Sequence, residues 1–357
     1  PGRAGVVTGT RRYAVVGGGP AAGAGARALA AAGADVVRFT AEDRPPYDRT
    51  VLSKQALLQP GSAVPEVWPP AATWRDRIDV RTGTRVVVLD PSTRELTTAS
   101  GERFAFEAVL LAPGAEPRLL DVPGAEGPGV HHLRDTADAA SLSRALDEAR
   151  RVVVVGGGVI GLEVAAAAAT RGLDVEVVEV GHRVLGRGVP APVAGWLVAL
   201  HARHGVRIRT GTAADAVERS PSGAVTGVRL ADGDVLPCDA VVVGIGVLPR
   251  EGLARVAGLA CDDGILVDTS GRTSHSHVFA AGDAVRMRRA GEVHGIRLES
   301  FTAAGRQGEV AAHVMLGGDE TYDDVPWWWS DQYGATLQSV GVAPPGARAE
   351  VVEVPDG

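Results

Sequence analysis

The segment RYAVVGGGPAAGAGARALAAAG, residues 12–33, decides how this chain folds. It opens as a short apolar strand, runs into three glycines and continues as an alanine-rich stretch of helical composition, and DVVRFT (35–40) then returns as a second strand. Strand, glycine turn, helix and strand make a β-α-β unit. Its small residues, Gly17-x-Gly19-x-x-Ala22, have separate tasks. The first permits a tight turn, the second lets a pyrophosphate approach the backbone, and the third lets helix and strand pack closely. Phosphate would rest at the helix N-terminus, where unpaired N–H groups and the helix dipole favour negative charge.

The pattern returns 139 positions later, with VVVVGGG (152–158), VIGLEVAAAAATRG (159–172) and DVEVVEV (174–180), and its small residues are Gly156, Gly158 and Gly161. One such motif is a weak signal, whereas two in the right context predict two bound nucleotides. An acid roughly 20 positions on should accept hydrogen bonds from the adenosine ribose. Glu179, 23 positions after Gly156, fills that place and favours NADH, because the extra phosphate of NADPH would meet a like charge. His182 and Arg183 soften that preference. In the first unit the candidate is Glu42, 25 positions after Gly17, with Asp43 as its neighbour.

Outward from these units the chain repeats β-rich segments (78–90, 94–100, 104–114, then 206–212, 224–230 and 234–246). A helical stretch follows over 298–318, closed by Gly317-Gly318, and then a β-type tail; residues 1–11 read as a frayed leader. The predicted fold class is α/β, with two Rossmann-like dinucleotide-binding domains. A chain of 357 residues suits two or three domains. No apolar run approaches the ~20 residues of a membrane span, so a soluble cytoplasmic protein is expected. A net charge of −7 argues against a general nucleic-acid binder. Cys238 and Cys261 form neither a disulfide framework nor a C-x-x-C pair. His201 and His204 share a helix face without carboxylate or thiol company, so no metal site is expected. Of 36 basic residues only Lys54 is lysine, which marks a position where the planar fork of arginine will not serve.

Four segments, RPPYDRTVLSK (44–54), GGGVIGLEVAAAA (156–168), GILVDTSGRTSHSHVFAAGDAV (264–285) and VPWWWSDQYGATLQSVG (325–341), together resemble one family. This is the group of FAD-dependent NADH:ferredoxin reductases similar to putidaredoxin reductase, which serve haem monooxygenases and Rieske-type oxygenases. The resemblance spans roughly residues 12 to 341. It implies an FAD domain (1–116 and 247–323) split by an inserted NADH domain (117–246), with a small C-terminal α+β domain (324–357) that stops earlier than is usual in the family. It implies FAD on the first glycine turn and NADH on the second. Hydride would pass from NADH to FAD and single electrons to a 2Fe–2S ferredoxin, the reductase being a monomer or weak dimer.

By the same resemblance Asp283 binds the FAD ribityl or pyrophosphate region, an Asp after Gly also being a natural N-cap. Lys54 and Glu163 form an ion pair beside the flavin, where a cation stabilises the anionic reduced ring. Trp329 lies on the side used by the electron acceptor. Glu299 and Gln332 fall near the ring edge, and Arg49 joins the flavin-binding set. Arg286, Arg288 and Arg289 are a candidate docking group for an acidic ferredoxin. Departures from the family pattern are Ala112-Pro113-Gly114 for Ala-Thr-Gly, Thr50-Val51 for Pro-Pro, and Phe301 for Trp. A disulfide or peroxide reductase would need a cysteine facing the flavin, and none precedes Cys238. The rival outside electron supply is a redox-sensing flavoprotein resembling apoptosis-inducing factor, whose NADH complex controls assembly.

Overall fold

The structure is a computed structural model that describes residues 12–69, 72–186, 188–288 and 295–341, together with Glu350 and Val352. Seven α-helices occur among the described residues: α1 (Pro20–Ala31), α2 (Gln55–Leu58), α3 (Thr136–Glu148), α4 (Val159–Thr170), α5 (Ala191–Arg203), α6 (Gly252–Val256) and α7 (Phe301–Met315). The chain divides into two compact units. Unit one comprises residues 1–48, 65–116 and 248–328; unit two comprises 49–64, 117–247 and 329–357.

Unit one is built on a five-stranded parallel sheet in the order Val278–Ala280, Val109–Leu111, Arg12–Val16, Asp35–Phe39, Ile78–Arg81. The strand of the deciding segment is central, with Val16 paired to Phe39 on one side and Leu111 on the other. The chain order reverses across this strand, and such switch points open a crevice at the carboxyl ends of the strands. Helix α1 buries Ala21, Ala22, Gly23, Gly25 and Ala26. A Cβ on Gly25 would run into Leu110 and one on Gly308 of α7 into the Ala21 carbonyl, so α1 and α7 pack almost backbone to backbone. Val15, Leu29, Phe39, Val109 and Leu110 are wholly enclosed; each such side chain contributes roughly 1.5–3 kcal/mol of burial. A three-stranded antiparallel sheet (Val86–Asp90, Glu95–Thr98, Arg103–Ala105) completes the β-rich insertion.

Unit two repeats the design with a parallel sheet in the order Arg207–Thr210, Asp174–Glu179, Arg151–Val155, Ala240–Val243, Val130–His131. Its antiparallel companion is Ala214–Arg219, Val225–Leu230 and Val235–Pro237. Helix α4 is buried from Gly161 to Ala168, as a helix apolar nearly all round must be, and Glu163 is the one charged residue in that stretch. The expected β-type tail is a hairpin of Trp327–Gln332 and Ala335–Val340. Its two-residue turn, Tyr333-Gly334, has φ 53° and 80°, the left-handed pair that matches strand twist.

The expected helices are present but shorter. The stretch read over 298–318 is helical only from Phe301, because Ser300 caps it by accepting from the Ala303 N–H at 3.3 Å. No helix among the described residues is long and apolar enough to cross a membrane. Residues 1–11, Arg289 and most of the tail beyond Gly341 lie outside the described residues.

Candidate functional site

The two glycine turns are near copies. Gly17 has φ 149° and a Cβ there would collide with the Ala112 carbonyl; Gly156 has φ 111° and would collide with the Gly244 carbonyl. In each unit the neighbouring closing strand thus presses on the turn and admits only glycine. The third small residue differs. A Cβ on Gly161 would strike the Gly156 carbonyl, whereas Ala22 already carries one.

Helices α1 and α4 start differently from α3 and α7, and they alone among the uncapped helices described start on a glycine turn. Helix α3 begins with a capping box of Asp135 and Asp138, and α7 with Ser300. Helices α1 and α4 begin at Gly19 and Gly158, with no side-chain cap and no acid in the first turn. Their first N–H groups are left for an anion, so the residues present fit one pyrophosphate at each turn.

A carboxylate overhangs each turn. Glu42 Oε1 lies 2.6 Å from where a Gly18 Cβ would stand, and Glu179 Oε2 lies 3.2 Å from the same place on Gly157. Glu179 is held on both oxygens, accepting from the Gly157 N–H at 2.7 Å and the Gly181 N–H at 2.6 Å. Arg183 donates to the carbonyls of Val189 at 2.8 Å, Gly186 at 2.9 Å and Leu185 at 3.3 Å. Its guanidinium is committed to its own loop.

In unit two, Lys54 stands just before α2 and Glu163 within the first half of α4. Lys54 Nζ is 3.3 Å from Glu163 Oε1, 3.5 Å from Asp331 Oδ2 and 5.6 Å from the centre of the Trp329 ring. Ser330 Oγ donates to Glu163 Oε1 at 2.6 Å and Ser53 Oγ donates to Oε2. Burial pushes the Glu163 carboxyl above its ordinary range, while Lys54, Ser330 and Ser53 pull it back. Burial outweighs them, and each carboxyl oxygen accepts one hydroxyl hydrogen bond. A compact ammonium on a flexible stem can serve two carboxylates and a ring face together, which explains the lone lysine physically. Ser53, Ser330 and Asp331 were not singled out in the sequence, although each adjoins a residue that was.

The other candidates are spread over both units. In unit one Asp283 occupies a tight turn (Gly282–Ala284) after strand Val278–Ala280, and a Gly282 Cβ would stand 2.9 Å from Ala21 Cβ in the first turn of α1. Glu299 pairs with Arg297 at 3.0 Å, and Arg286 with Asp262 at 3.4 Å; Arg288 is exposed. In unit two Arg49 donates to the Arg134 carbonyl at 3.1 Å. Gln332 is buried and bonded to Ser330 and His201. Trp329 is half-buried. Cys238 is enclosed, its thiol pushed up to about 12 mainly by burial, an inert state for a nucleophile.

Two parallel-sheet units, each with an uncapped glycine turn overhung by a carboxylate, fit a protein built to hold two dinucleotides. The chain belongs to the pyridine nucleotide-disulphide oxidoreductase family, whose model matches residues 11–308. Among curated relatives it is 39% identical over 334 residues to the anthranilate 1,2-dioxygenase system ferredoxin–NAD(+) reductase component of Burkholderia cepacia, covering 92% of this chain and 82% of that one. Among solved structures it is similar to the ferredoxin reductase for the CYP199A2 system from Rhodopseudomonas palustris, with TM-score 0.88, 36% identity, and 93% and 82% of the two chains covered. It is also similar to the covalent putidaredoxin reductase–putidaredoxin complex, with TM-score 0.89, 32% identity, and 96% and 84% covered.

Proposed function

We propose that the chain is an NADH-dependent, FAD-containing ferredoxin reductase that feeds an oxygenase system. FAD supplies the chemistry of taking an electron pair with a hydride and releasing electrons singly. The observation that carries the reading is the pair of uncapped, glycine-started helices, α1 and α4, each with a carboxylate placed for a ribose. The Gly17 turn, Ala22, Glu42 and Asp283 hold FAD. Gly156, Gly158, Gly161 and Glu179 hold NADH, and Arg183 shapes the loop beside Glu179. Lys54 supplies positive charge for the reduced flavin, and Glu163 keeps Lys54 in place and orients the nicotinamide. Trp329 serves the exit of electrons; Arg49 and Glu299 complete the flavin set.

The domains follow the same assignment, with FAD on 1–116 and 247–323, NADH on 117–246, and a C-terminal domain from 324, although by packing alone 49–64 and the tail from 329 group with 117–247. The partner is a 2Fe–2S ferredoxin, and the reductase works in the cytoplasm as a monomer or weak dimer. Sustained NADH-dependent cytochrome c reduction that requires added ferredoxin tests the reading; a single round of flavin reduction followed by a change in oligomer size would replace it with a sensor.

A further inference from the structure

A line of hydrogen bonds runs from Glu163 through groups to which the chemistry above assigns no task. Ser330 Oγ donates to Glu163, Gln332 Nε2 donates to Ser330 Oγ at 2.9 Å, and Gln332 Oε1 meets His201 Nε2 at 2.7 Å. On its other nitrogen His201 faces the Tyr333 hydroxyl at 3.2 Å, and His204 stacks flat on the Tyr333 ring at 3.8 Å. All of these residues belong to unit two. His201, Gln332, Ser330 and Glu163 are buried, His201 completely.

The sense of each bond is fixed by the next. An amide offers an oxygen that only accepts and a nitrogen that only donates. With its nitrogen on Ser330, Gln332 must accept a hydrogen bond from His201 through Oε1, so His201 carries its hydrogen on Nε2 and accepts from Tyr333 on Nδ1. Ser330 receives from Gln332 and therefore spends its own hydrogen on Glu163. An amide does not pass protons along, so the line sets orientation and is no proton wire.

We propose that His201 is a positioning residue for Glu163: acting through Gln332 and Ser330, it keeps a hydroxyl hydrogen aimed at the Glu163 carboxylate. The inference rests on the reading that Glu163 serves the NADH step. Without the His201 donor, Gln332 is free to turn its oxygen toward Ser330, and the Ser330 hydrogen leaves the carboxylate for the amide. Glu163 then loses one of its two hydroxyl donors and ionises less readily.

The test compares His201→Phe, which removes the donor, His201→Gln, whose amide nitrogen reaches about as far as Nε2, and Gln332→Met, which cuts the line one residue on. The titration of Glu163 is followed in the flavin-loaded protein by δ-carbon 13C NMR with labelled glutamate, the Glu163 signal being the one missing from Glu163→Gln. His201→Phe and Gln332→Met should each raise the Glu163 midpoint by roughly one pH unit, the scale of one hydrogen bond to a charged group. His201→Gln should restore it, and His201→Phe/Gln332→Met should shift no further than either single change. Unshifted midpoints in both single variants, or additive shifts, overturn the proposal. Stopped-flow flavin reduction by NADH separates its failure from that of the underlying reading. If Glu163→Gln reduces at the wild-type rate, Glu163 has no part in that step, whereas slow reduction in Glu163→Gln beside unshifted midpoints rejects the role of His201 alone.

Discussion

The β-α-β unit at Arg12 and the one at Arg151 solve the same problem with different margins. Both place a glycine of positive φ under a neighbouring carbonyl and start a helix without a side-chain cap. The second is the tighter. Its third small residue must be glycine, its carboxylate is pinned by two backbone N–H groups, and the loop after it is braced by Arg183. In the first, alanine serves at the third position, and the contact that shuts the turn comes from Ala112, next to Pro113. A resident cofactor and a passing one make different demands. A carboxylate fixed in advance, as Glu179 is, lowers the cost of recognising a nucleotide at every turnover.

The largest effect should come from exchanging the two first glycines. Gly17→Ala and Gly156→Ala each force a Cβ against a backbone carbonyl at a φ that alanine resists. Each should weaken its own nucleotide by on the order of a hundredfold. Gly17→Ala should purify without flavin colour. Gly156→Ala should keep its colour but resist reduction by NADH while still accepting electrons from dithionite. Loss of flavin from both variants would erase the division of labour between the units.

Next in size are Lys54 and Glu163. Lys54→Met should slow flavin reduction by NADH on the order of 10–100-fold and make the flavin harder to reduce, since the reduced anion loses its cation. Glu163→Ala should slow reduction while leaving FAD bound. Unchanged stopped-flow rates in either variant would remove that residue from the step. Trp329→Ala should lower ferredoxin-dependent cytochrome c reduction by more than it lowers ferricyanide reduction; equal losses would make Trp329 a packing residue. If Arg288 and its neighbours dock an acidic ferredoxin, the ferredoxin-dependent rate should also fall steeply with added salt.

Much of this was legible because it is local. A glycine turn, its helix and its acid lie within 25 positions in each unit, and strand pairing then follows from the β-α-β rule. Lys54 stood out through composition alone. The surroundings of Glu163 were not legible from spacing, since its hydroxyl partners lie 110 and 167 positions away and follow from tertiary packing. His201 was set aside for lack of metal-binding company. Its signal was of another kind: it continues the buried face of Ala194 and Leu197 on α5, and a histidine on an apolar face needs a polar partner. Arg183 reads in sequence as softening the preference for NADH because its charge is visible there, whereas the carbonyls that engage it are not.

A smaller effect concerns nucleotide choice. Glu179 should give NADH a kcat/KM at least roughly tenfold above NADPH, about 1.4 kcal/mol of discrimination. Glu179→Gln should narrow the ratio by removing the like charge. Arg183→Ala should lower the efficiency of both nucleotides together, because the braced loop is lost for both. A selective loss with NADPH would instead make Arg183 a phosphate ligand.

The smallest effect is on stability against acid, and it too separates the units. Burial holds His131, His132 and His201 below the ordinary histidine value of 6.5, and all three belong to unit two. Unfolding lets such a ring take up a proton that the native state refuses. Their contribution is therefore fully present above about pH 6.5 and is lost as the pH falls toward the depressed native values. Glu163 and Asp138, also in unit two, are pushed upward by burial and act in the opposite sense, so the direction of the change on acidification reports whether the histidines outweigh them. Amide hydrogen exchange, corrected for the intrinsic pH dependence, should show protection falling on mild acidification in strand Arg151–Val155 before it falls in Arg12–Val16. His201→Gln, which cannot titrate, should reduce the loss in unit two. Equal protection in both strands across that range would mean that the two units unfold as one and that the histidines carry no separate burden.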